Sequence, residues 1–513
     1  MVPLLETLSG HCAIASAARK AAFRALCLLA VCTPTAVGVR AEDTDASALA
    51  DYFEERVLSF ETERWENGFT LLVNRRPQVP NASLRLLVEV GTADFPCPER
   101  ELPHLLEHVL FSGFDELSEA DLDLLASHYG GSLNGFTAEW TTGYELDLYA
   151  AHASDAVQLL FGMVTRTPLN AERVDASRPV VHREVGDPRN AFEDWLARAG
   201  WFDGHVARSY RELVPATRSF CPRRPHAALL SAEDVQRVHE RYYVPERMTL
   251  IVVGDVDPGR IVEEVNDTFG AMEAQPGAPR HRPEPLLRGN EVSYRTARDE
   301  FVAADVYVTR DYLIPPLPAP GTFPLLLAAE LLEGDLFTRL RSERGWAYTP
   351  SVTLADYADF SVLVLEAEVP RGREDETLEV MDDAVAALAE GEIGSDRFES
   401  VRRQAVLQYG LGLETNADVA DYYTRFFEHW RTSGTFPNLV RAVASITEAA
   451  VQVAVRRHLV DAPSLRYTAT GLVGSTSALL AGFGSTILFG LLLFVLRKFT
   501  PRRSGGPQTD GQS

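Results

Sequence analysis

The sequence predicts an α+β protein with two domains of comparable size, followed by one C-terminal transmembrane helix. Three observations lead to this fold class. Strand-like and helix-like segments alternate between residues 42 and 474, a proline-rich stretch divides them into two groups, and an uncharged apolar run precedes a basic tail. A length of 513 residues is sufficient for two domains with separate hydrophobic cores.

The first predicted domain covers residues 42–273. Short apolar runs bounded by glycine are typical of buried strands, and such runs lie at 69–73, 84–90 and 249–254. Longer segments predict helices, at 154–163, 231–243 and 261–272. Ser231 with Asp234 resembles a capping box, with Asp in place of the usual Glu.

The second predicted domain, residues 291–474, follows an interdomain linker at 274–290. Four prolines and one glycine lie within residues 274–285, so this stretch cannot continue a helix. Strand-like and helix-like segments resume after the linker, at 301–308, 322–332, 360–364, 377–389 and 396–413. We therefore expect a second α/β unit that resembles the first.

Both ends of the chain place basic residues next to an apolar run, and we predict that neither end belongs to the globular body. The pattern within 1–41 indicates a secretory signal peptide, with an organellar presequence as the alternative. The apolar run at 475–496 is long enough to span a bilayer as a helix. The positive-inside rule then places the basic tail, 497–513, in the cytoplasm. The body is expected to be membrane-anchored in the periplasm or on the extracellular side, or alternatively at an organellar inner membrane.

The composition is acidic, with 49 Lys and Arg against 73 Asp and Glu and a formal net charge of −24. Non-specific nucleic-acid binding requires clustered basic residues, so the charge argues against a nucleic-acid partner. Five cysteines are too few for a disulfide scaffold. Cys97 and Cys221 remain once a leader is removed, and the sequence leaves open whether they pair.

One short segment carries a pattern suited to metal-dependent hydrolysis. His104, Glu107 and His108 are spaced so that they share one face of a helix. Two imidazoles can then bind one metal ion, and the carboxylate can take a proton from a water that the metal has made more acidic. The order His-x-x-Glu-His is the inverted form of the common zinc-protease motif. For these three residues alone, the alternative is a surface helix with hydrogen-bonded histidines.

Downstream, Glu184 follows His108 by 76 residues. With this spacing the chain resembles the pitrilysin family of zinc metallopeptidases, which includes insulysin and the mitochondrial processing peptidases, in its half-size form. The resemblance covers nearly the whole body and implies two α/β-roll domains, each with an antiparallel-rich sheet and packed helices. It also implies that His104, His108 and Glu184 hold one Zn²⁺ per chain, with Glu107 as the general base.

Two further motifs resemble sequences with which this family binds its substrates. The segment 130–144 resembles a glycine-rich strand whose asparagine, here Asn134, holds the substrate backbone. Arg341 and Tyr348 match an Arg and a Tyr, seven residues apart, that reach the substrate and the tetrahedral intermediate from the second domain. Without the resemblance, Asn134 would be interpreted as a turn residue, and the other two as a surface charge and an aromatic at the edge of the core.

The chain departs from the family pattern at two positions. Ser177 stands seven residues before Glu184, where active relatives carry a supporting Glu, and Pro188 follows where the helix is expected to continue. The resemblance implies a zinc-dependent endopeptidase that acts on peptides or unfolded segments. The alternative is a catalytically weak or inactive subunit of a peptidase complex. Half-size relatives pair two subunits, so we expect a homodimer or a heterodimer with a related subunit.

Overall fold

The fold consists of two α/β halves, each built on one β-sheet, in a computed structural model of the chain. The structure describes residues 44–185, 192, 195, 210–215, 217–221, 227–277, 287, 291–297, 304–460 and 462–471.

The first sheet has six strands in the order β1-β2-β6-β3-β5-β4. Its strands pair antiparallel except β2 and β6, which run parallel. The central strands β3 and β6 are buried along almost their whole length, because both faces of the sheet are covered. The strands are β1 (Glu61–Arg64), β2 (Thr70–Arg75), β3 (Asn81–Val88), β4 (Ser132–Thr137), β5 (Thr142–Tyr149) and β6 (Met248–Gly254).

Seven helices of the first half have both bounds within the described residues. Two of them begin at a serine, and Ser231 is one of these two. In each, the serine side chain accepts a hydrogen bond from the backbone N–H of the Asp three residues later, and the carboxylate of that Asp accepts one from the serine N–H. The helices are α1 (Thr44–Arg56), α2 (Leu102–Leu110), α3 (Glu119–His128), α4 (Ala153–Arg166), α5 (Ala171–Val185), α6 (Ala232–Tyr242) and α7 (Pro258–Asp267).

The second sheet has five strands in the order β7-β11-β8-β10-β9, with β7 and β11 parallel and the other pairs antiparallel. Its strands are β7 (Glu291–Ala297), β8 (Asp305–Ile314), β9 (Ser351–Asp356), β10 (Ser361–Pro370) and β11 (Ser464–Thr470). The accompanying helices are α8 (Ala319–Leu336), α9 (Glu374–Glu390), α10 (Ser395–Leu411), α11 (Asn416–Arg425), α12 (Phe427–Ser433), α13 (Leu439–Ala444) and α14 (Glu448–His458).

The first sheet separates two hydrophobic cores, because side chains alternate between its two faces along each strand. On β6, Leu250 and Val252 join the core formed with α2 and α4 to α7, whereas Ile251 and Val253 join the core of the second half. Helix α11 covers this second face by packing against β3 and β6. One face of the first sheet is therefore buried by residues of the second half.

Polar contacts reinforce this junction between the halves. Arg85 of β3 is only 2% exposed, and its guanidinium lies 2.9 Å from an Asp147 oxygen and 3.0 Å from an Asp421 oxygen of α11. A buried guanidinium requires such charged partners to offset its lost hydration. Helix α1 also crosses over: Phe53 stacks edge-on against Tyr422, with ring centroids 5.5 Å apart.

A second connection between the halves is the strap, which we define as residues 210–215 and 217–221. The Tyr210 hydroxyl donates to a buried oxygen of Asp311 on β8 at 2.7 Å, and the Arg218 backbone N–H donates to Asp359 at 2.6 Å. At its end, Cys221 forms a disulfide with Cys97, with the two Cα atoms 5.6 Å apart. The structure thus pairs the two cysteines whose pairing the sequence left open.

The predicted membrane helix and the predicted membrane-anchored location are contradicted. Among the described residues, no helix is both long and apolar enough to cross a bilayer. The 18-residue α8 has the length and many leucines, but it carries three carboxylates that would be costly in hydrocarbon. The segments named in those predictions, 475–496 and 497–513, lie outside the described residues, as does the predicted leader at 1–41.

Candidate metal centre

Helix α2 presents the two histidines of the motif on one side and buries apolar residues on the other. Pro103 occupies its first turn, where the missing backbone N–H is not needed. Leu105, Leu106 and Val109 are fully buried in the first core. His104 and His108, one turn apart, are only partly exposed and line a large cavity between the halves.

Glu184 comes from the last turn of α5, which packs against α2. Its Oε2 lies 3.1 Å from His104 Nε2 and 3.2 Å from His108 Nε2, and the two Nε2 atoms are 3.2 Å apart. The helix ends at Val185 among the described residues, while Pro188 lies outside them. Three potential ligand atoms therefore converge on one point.

This donor set fits a zinc ion. Ligand atoms held tetrahedrally at the usual distances of about 2.0–2.2 Å from zinc are roughly 3.3 to 3.6 Å apart. The observed separations of 3.1 to 3.2 Å lie just below the lower end of that range. Three protein ligands leave a fourth position open, which is typical of catalytic rather than structural zinc sites.

Without a metal ion, the electrostatics of His104, Glu101 and Glu184 favour a protonated, positively charged His104. Burial opposes a charged His104, but its hydrogen bonds with Glu101 and Glu184 outweigh burial and raise its pKa to about 10. The hydrogen bond from His104 in turn lowers the pKa of Glu184. A bound metal ion would have to displace that proton from His104.

Glu107 lies beside the three converging residues and is only 6% exposed. Burial raises the pKa of its carboxyl group, while the Thr137 hydroxyl, which donates to Glu107 Oε2 at 2.6 Å, opposes the increase. Gly135 on β4 faces the same carboxylate, and a Cβ there would lie 3.0 Å from Glu107 Oε1 and 2.7 Å from the Phe111 ring. A raised pKa is suited to a carboxylate that accepts and releases protons.

The cavity has a volume of about 2000 Å³ and is bounded by both halves. The first half contributes α2, the end of α5 and strand β4, including Asn134. The second half contributes residues of α10 and α11, such as Leu407 and Asp418. Carboxylates clearly outnumber arginines among the residues that line it.

Asn134 lies on β4, an edge strand of the first sheet, and its side chain is exposed in the cavity. Among the described strands, β4 pairs with β5 alone. An edge strand presents unpaired backbone groups to which an extended peptide can add as a further strand. The position of Asn134 is thus compatible with contact to a peptide backbone.

Arg341 and Tyr348 are brought together by the structure but are not placed at the cavity. Arg341 Nη1 donates to the Tyr348 carbonyl oxygen at 2.9 Å, and its guanidinium lies 4.4 Å from the centroid of the Tyr348 ring. The Tyr348 side chain is 67% exposed. Neither residue is among those that line the cavity of the same chain.

Sequence reasoning missed two residues that contact the site. Thr137 holds Glu107, and Glu101 Oε2 lies 3.1 Å from Nδ1 of His104. Glu101 precedes His104 by three residues, a spacing at which side chains meet on a helix, so the signal was present in the sequence. The hydrogen bond of Thr137 depends on a strand 30 residues away and has no local signal.

Two family models match consecutive stretches of the chain, and the second begins at α6 of the first half and continues into the second half. The model described as insulinase (peptidase family M16) matches residues 70–212, and the one described as peptidase M16 inactive domain matches residues 230–405. The chain belongs to peptidase family M16. Among the described residues of this M16 chain, the His104, His108 and Glu184 group is the one cluster that could hold a metal ion, and it lies in the half that matches the insulinase model.

Curated relatives of this M16 chain include proteins named as zinc proteases. An uncharacterised zinc protease of Mycobacterium bovis is 27% identical over 79% of this chain and 91% of its own length. Another from Streptomyces coelicolor is 23% identical over 78% and 87%. The β subunit of the mitochondrial processing peptidase from Blastocladiella emersonii is 23% identical over 45% of this chain and 48% of its own.

Solved structures share the fold of this M16 chain. A protease from Helicobacter pylori superposes with a TM-score of 0.68 at 17% identity, covering 80% of this chain and all of the other. The first half of the periplasmic protease PqqL from Escherichia coli gives 0.65 at 15% identity, covering 82% and 95%. At these identities the likeness establishes the fold alone.

Proposed function

We propose that this M16 chain is a zinc-dependent endopeptidase. The observation that carries the proposal is the convergence of His104, His108 and Glu184 beside the buried Glu107, inside a cavity large enough for a peptide. In this proposal the first three residues hold one Zn²⁺ per chain, and Glu107 is the general base.

When bound, zinc would supply Lewis acidity, which polarises the scissile carbonyl and makes water a stronger acid. Glu107 accepts the proton of the attacking water and then delivers it to the leaving amine. Thr137 holds the Glu107 carboxylate in one orientation through its hydroxyl group. Burial supports this cycle because it brings the pKa of Glu107 closer to neutrality.

We propose that the substrate binds as an extended strand against β4, with Asn134 holding its backbone. A cavity enclosed by both halves admits peptides or unfolded segments more readily than folded proteins.

The excess of carboxylates that line the cavity favours positively charged substrates. We therefore expect matched cationic peptides to be cleaved faster than anionic ones at low salt, with the difference shrinking at high salt. Equal rates at both salt levels would contradict this preference.

The proposal also includes a dimer, either of two copies or of this chain with a related subunit. Arg341 and Tyr348 lie outside the cavity of their own chain. They can contribute to catalysis if they face the cavity of a partner, where a guanidinium and a phenol can donate to a developing oxyanion.

A second candidate function is a binding subunit with little or no catalytic activity. This function is favoured by Ser177, which is buried on α5. At this position, active members of the pitrilysin family carry a supporting carboxylate. Loss of a supporting carboxylate at a metal site commonly lowers activity by about 10- to 100-fold.

One experiment separates the two functions. Zinc content and cleavage of a broad peptide library are measured for the wild type and for Glu107→Gln, with and without a chelator. We expect chelator-sensitive cleavage by the wild type and a loss of at least about 100-fold in the variant at equal zinc content. Wild-type protein that binds zinc but cleaves no peptide would support the binding subunit instead.

A further inference from the structure

A buried carboxylate lies behind His104, on the side away from the other two candidate ligands. Glu101 Oε2 is 3.1 Å from His104 Nδ1, while the other ring nitrogen, Nε2, is 3.1 Å from Glu184. The imidazole therefore stands between two carboxylates, one on each nitrogen. Glu101 is only 6% exposed.

The carboxylate of Glu101 is not used to stabilise the helix start. Glu101 is the residue that precedes α2, but its side chain accepts no capping hydrogen bond from the helix. Burying a carboxylate is unfavourable unless a polar partner offsets the lost hydration. The hydrogen bond with His104 provides such a partner.

The chemistry of imidazole gives this contact a consequence for metal binding. A histidine that binds a metal through one nitrogen must carry its proton on the other. A carboxylate that accepts that proton's hydrogen bond fixes the tautomer, holds the ring orientation and makes the free nitrogen a better ligand. Here the accepting atom faces Nδ1, which leaves Nε2 for the metal.

We propose that Glu101 is a positioning residue that fixes the Nε2-ligating tautomer of His104 and strengthens its bond to zinc. This inference rests on the proposed zinc site and adds to its three ligands a residue that holds one of them in place. Glu101 itself is not a metal ligand, because His104 stands between its carboxylate and the point where the three ligand atoms converge.

The test is the zinc affinity of the full chain, measured by competition with a chromophoric chelator in the absence of any peptide. We expect Glu101→Ala to raise the zinc dissociation constant by about 10- to 100-fold, and Glu101→Gln, which keeps one acceptor oxygen, to raise it less. Cobalt substitution adds a spectroscopic readout, since a looser imidazole would alter the visible bands of the bound ion.

The matched control is Glu99→Ala. Glu99 lies two residues from Glu101, is half exposed and has its carboxylate 3.7 Å from Arg237. The zinc affinity of the Glu99→Ala variant should therefore equal that of the wild type. Wild-type affinity in Glu101→Ala would overturn the inference. If that variant does not fold, unchanged affinity in Glu101→Gln would overturn it, because the neutral amide lacks the charge. The peptidase proposal is tested separately, because no cleavage is measured here.

Discussion

At the scale of single residues, the site depends on groups that hold the reactive ones in place. Glu107 is buried beside a glycine that allows close approach, and Thr137 donates to it from β4. A carboxylate that moves by even one ångström from the attacking water loses much of its effect on rate. Orientation by Thr137 is therefore a testable part of the proposed mechanism.

We predict that Thr137→Val lowers kcat/KM about 10-fold without changing the zinc content, because the isosteric side chain cannot donate to Glu107. Steady-state cleavage of a fluorogenic peptide and metal analysis of the same sample check this. Thr141→Val, at a residue that lines the same cavity, serves as the control and should retain activity. Equal activity of the two variants would contradict the role assigned to Thr137.

At the scale of secondary-structure elements, local patterns predicted many features well and tertiary contacts poorly. The predicted strands at 69–73 and 249–254 lie within two residues of β2 and β6, because apolar runs bounded by glycine are strong local signals. The helix predicted at 261–272 begins earlier, at Pro258, and stops at Asp267, where a 3₁₀ turn follows. Proline is well tolerated in a first turn, which this prediction did not use.

In the candidate site as well, local spacing predicts some contacts and not the tertiary ones. His104, Glu107 and His108 share one turn of helix, so their spacing alone predicts that they face the same way. The approach of Glu184, from a helix that starts 61 residues after α2 ends, was supplied by the family resemblance and not by local spacing. The crossing of α1 onto the second half has no local signal, because an amphipathic helix does not specify which core it joins.

The strap offers a prediction about pH. Burial raises the pKa of Asp311, which accepts from Tyr210, to about 6. Its folded pKa lies above the unfolded value of about 3.9, so the folded state binds the extra proton, and stability is lost as the pH rises from about 4 to 6. Replacing this carboxylate by an amide removes that loss.

We therefore expect Asp311→Asn to raise the melting temperature relative to the wild type at pH 7.5 and to give little or no gain at pH 4. The gain at pH 7.5 should be on the order of 2 kcal/mol in unfolding free energy. Thermal melts at both pH values check this, with the exposed Asp305→Asn on the same strand as the control. A gain that is the same at both pH values would contradict the titration of Asp311.

At the scale of the whole molecule, the two halves are joined by a shared core, a buried ion cluster and a disulfide-tied strap. The disulfide connects Cys97, seven residues before His104, to a strap that is hydrogen-bonded to the second sheet. Cross-linking residues this far apart in sequence restricts the unfolded chain and so stabilises the folded one.

We predict that Cys97→Ser with Cys221→Ser lowers the unfolding free energy by about 2–4 kcal/mol. Denaturant titration of oxidised wild type and of the double variant measures this difference. A reducing agent should destabilise the wild type by a similar amount and leave the variant unchanged. Equal stability of oxidised and reduced wild type would show that the disulfide contributes nothing to the fold.

The shared sheet has a consequence for how this chain is made. Residues Leu72, Leu87 and Ile251 are synthesised long before α11, the helix that covers them. During translation the newly emerged first half therefore exposes an apolar sheet face until α11, which ends about 150 residues further along the chain, has left the ribosome. The first half expressed alone should therefore be prone to aggregation through that face.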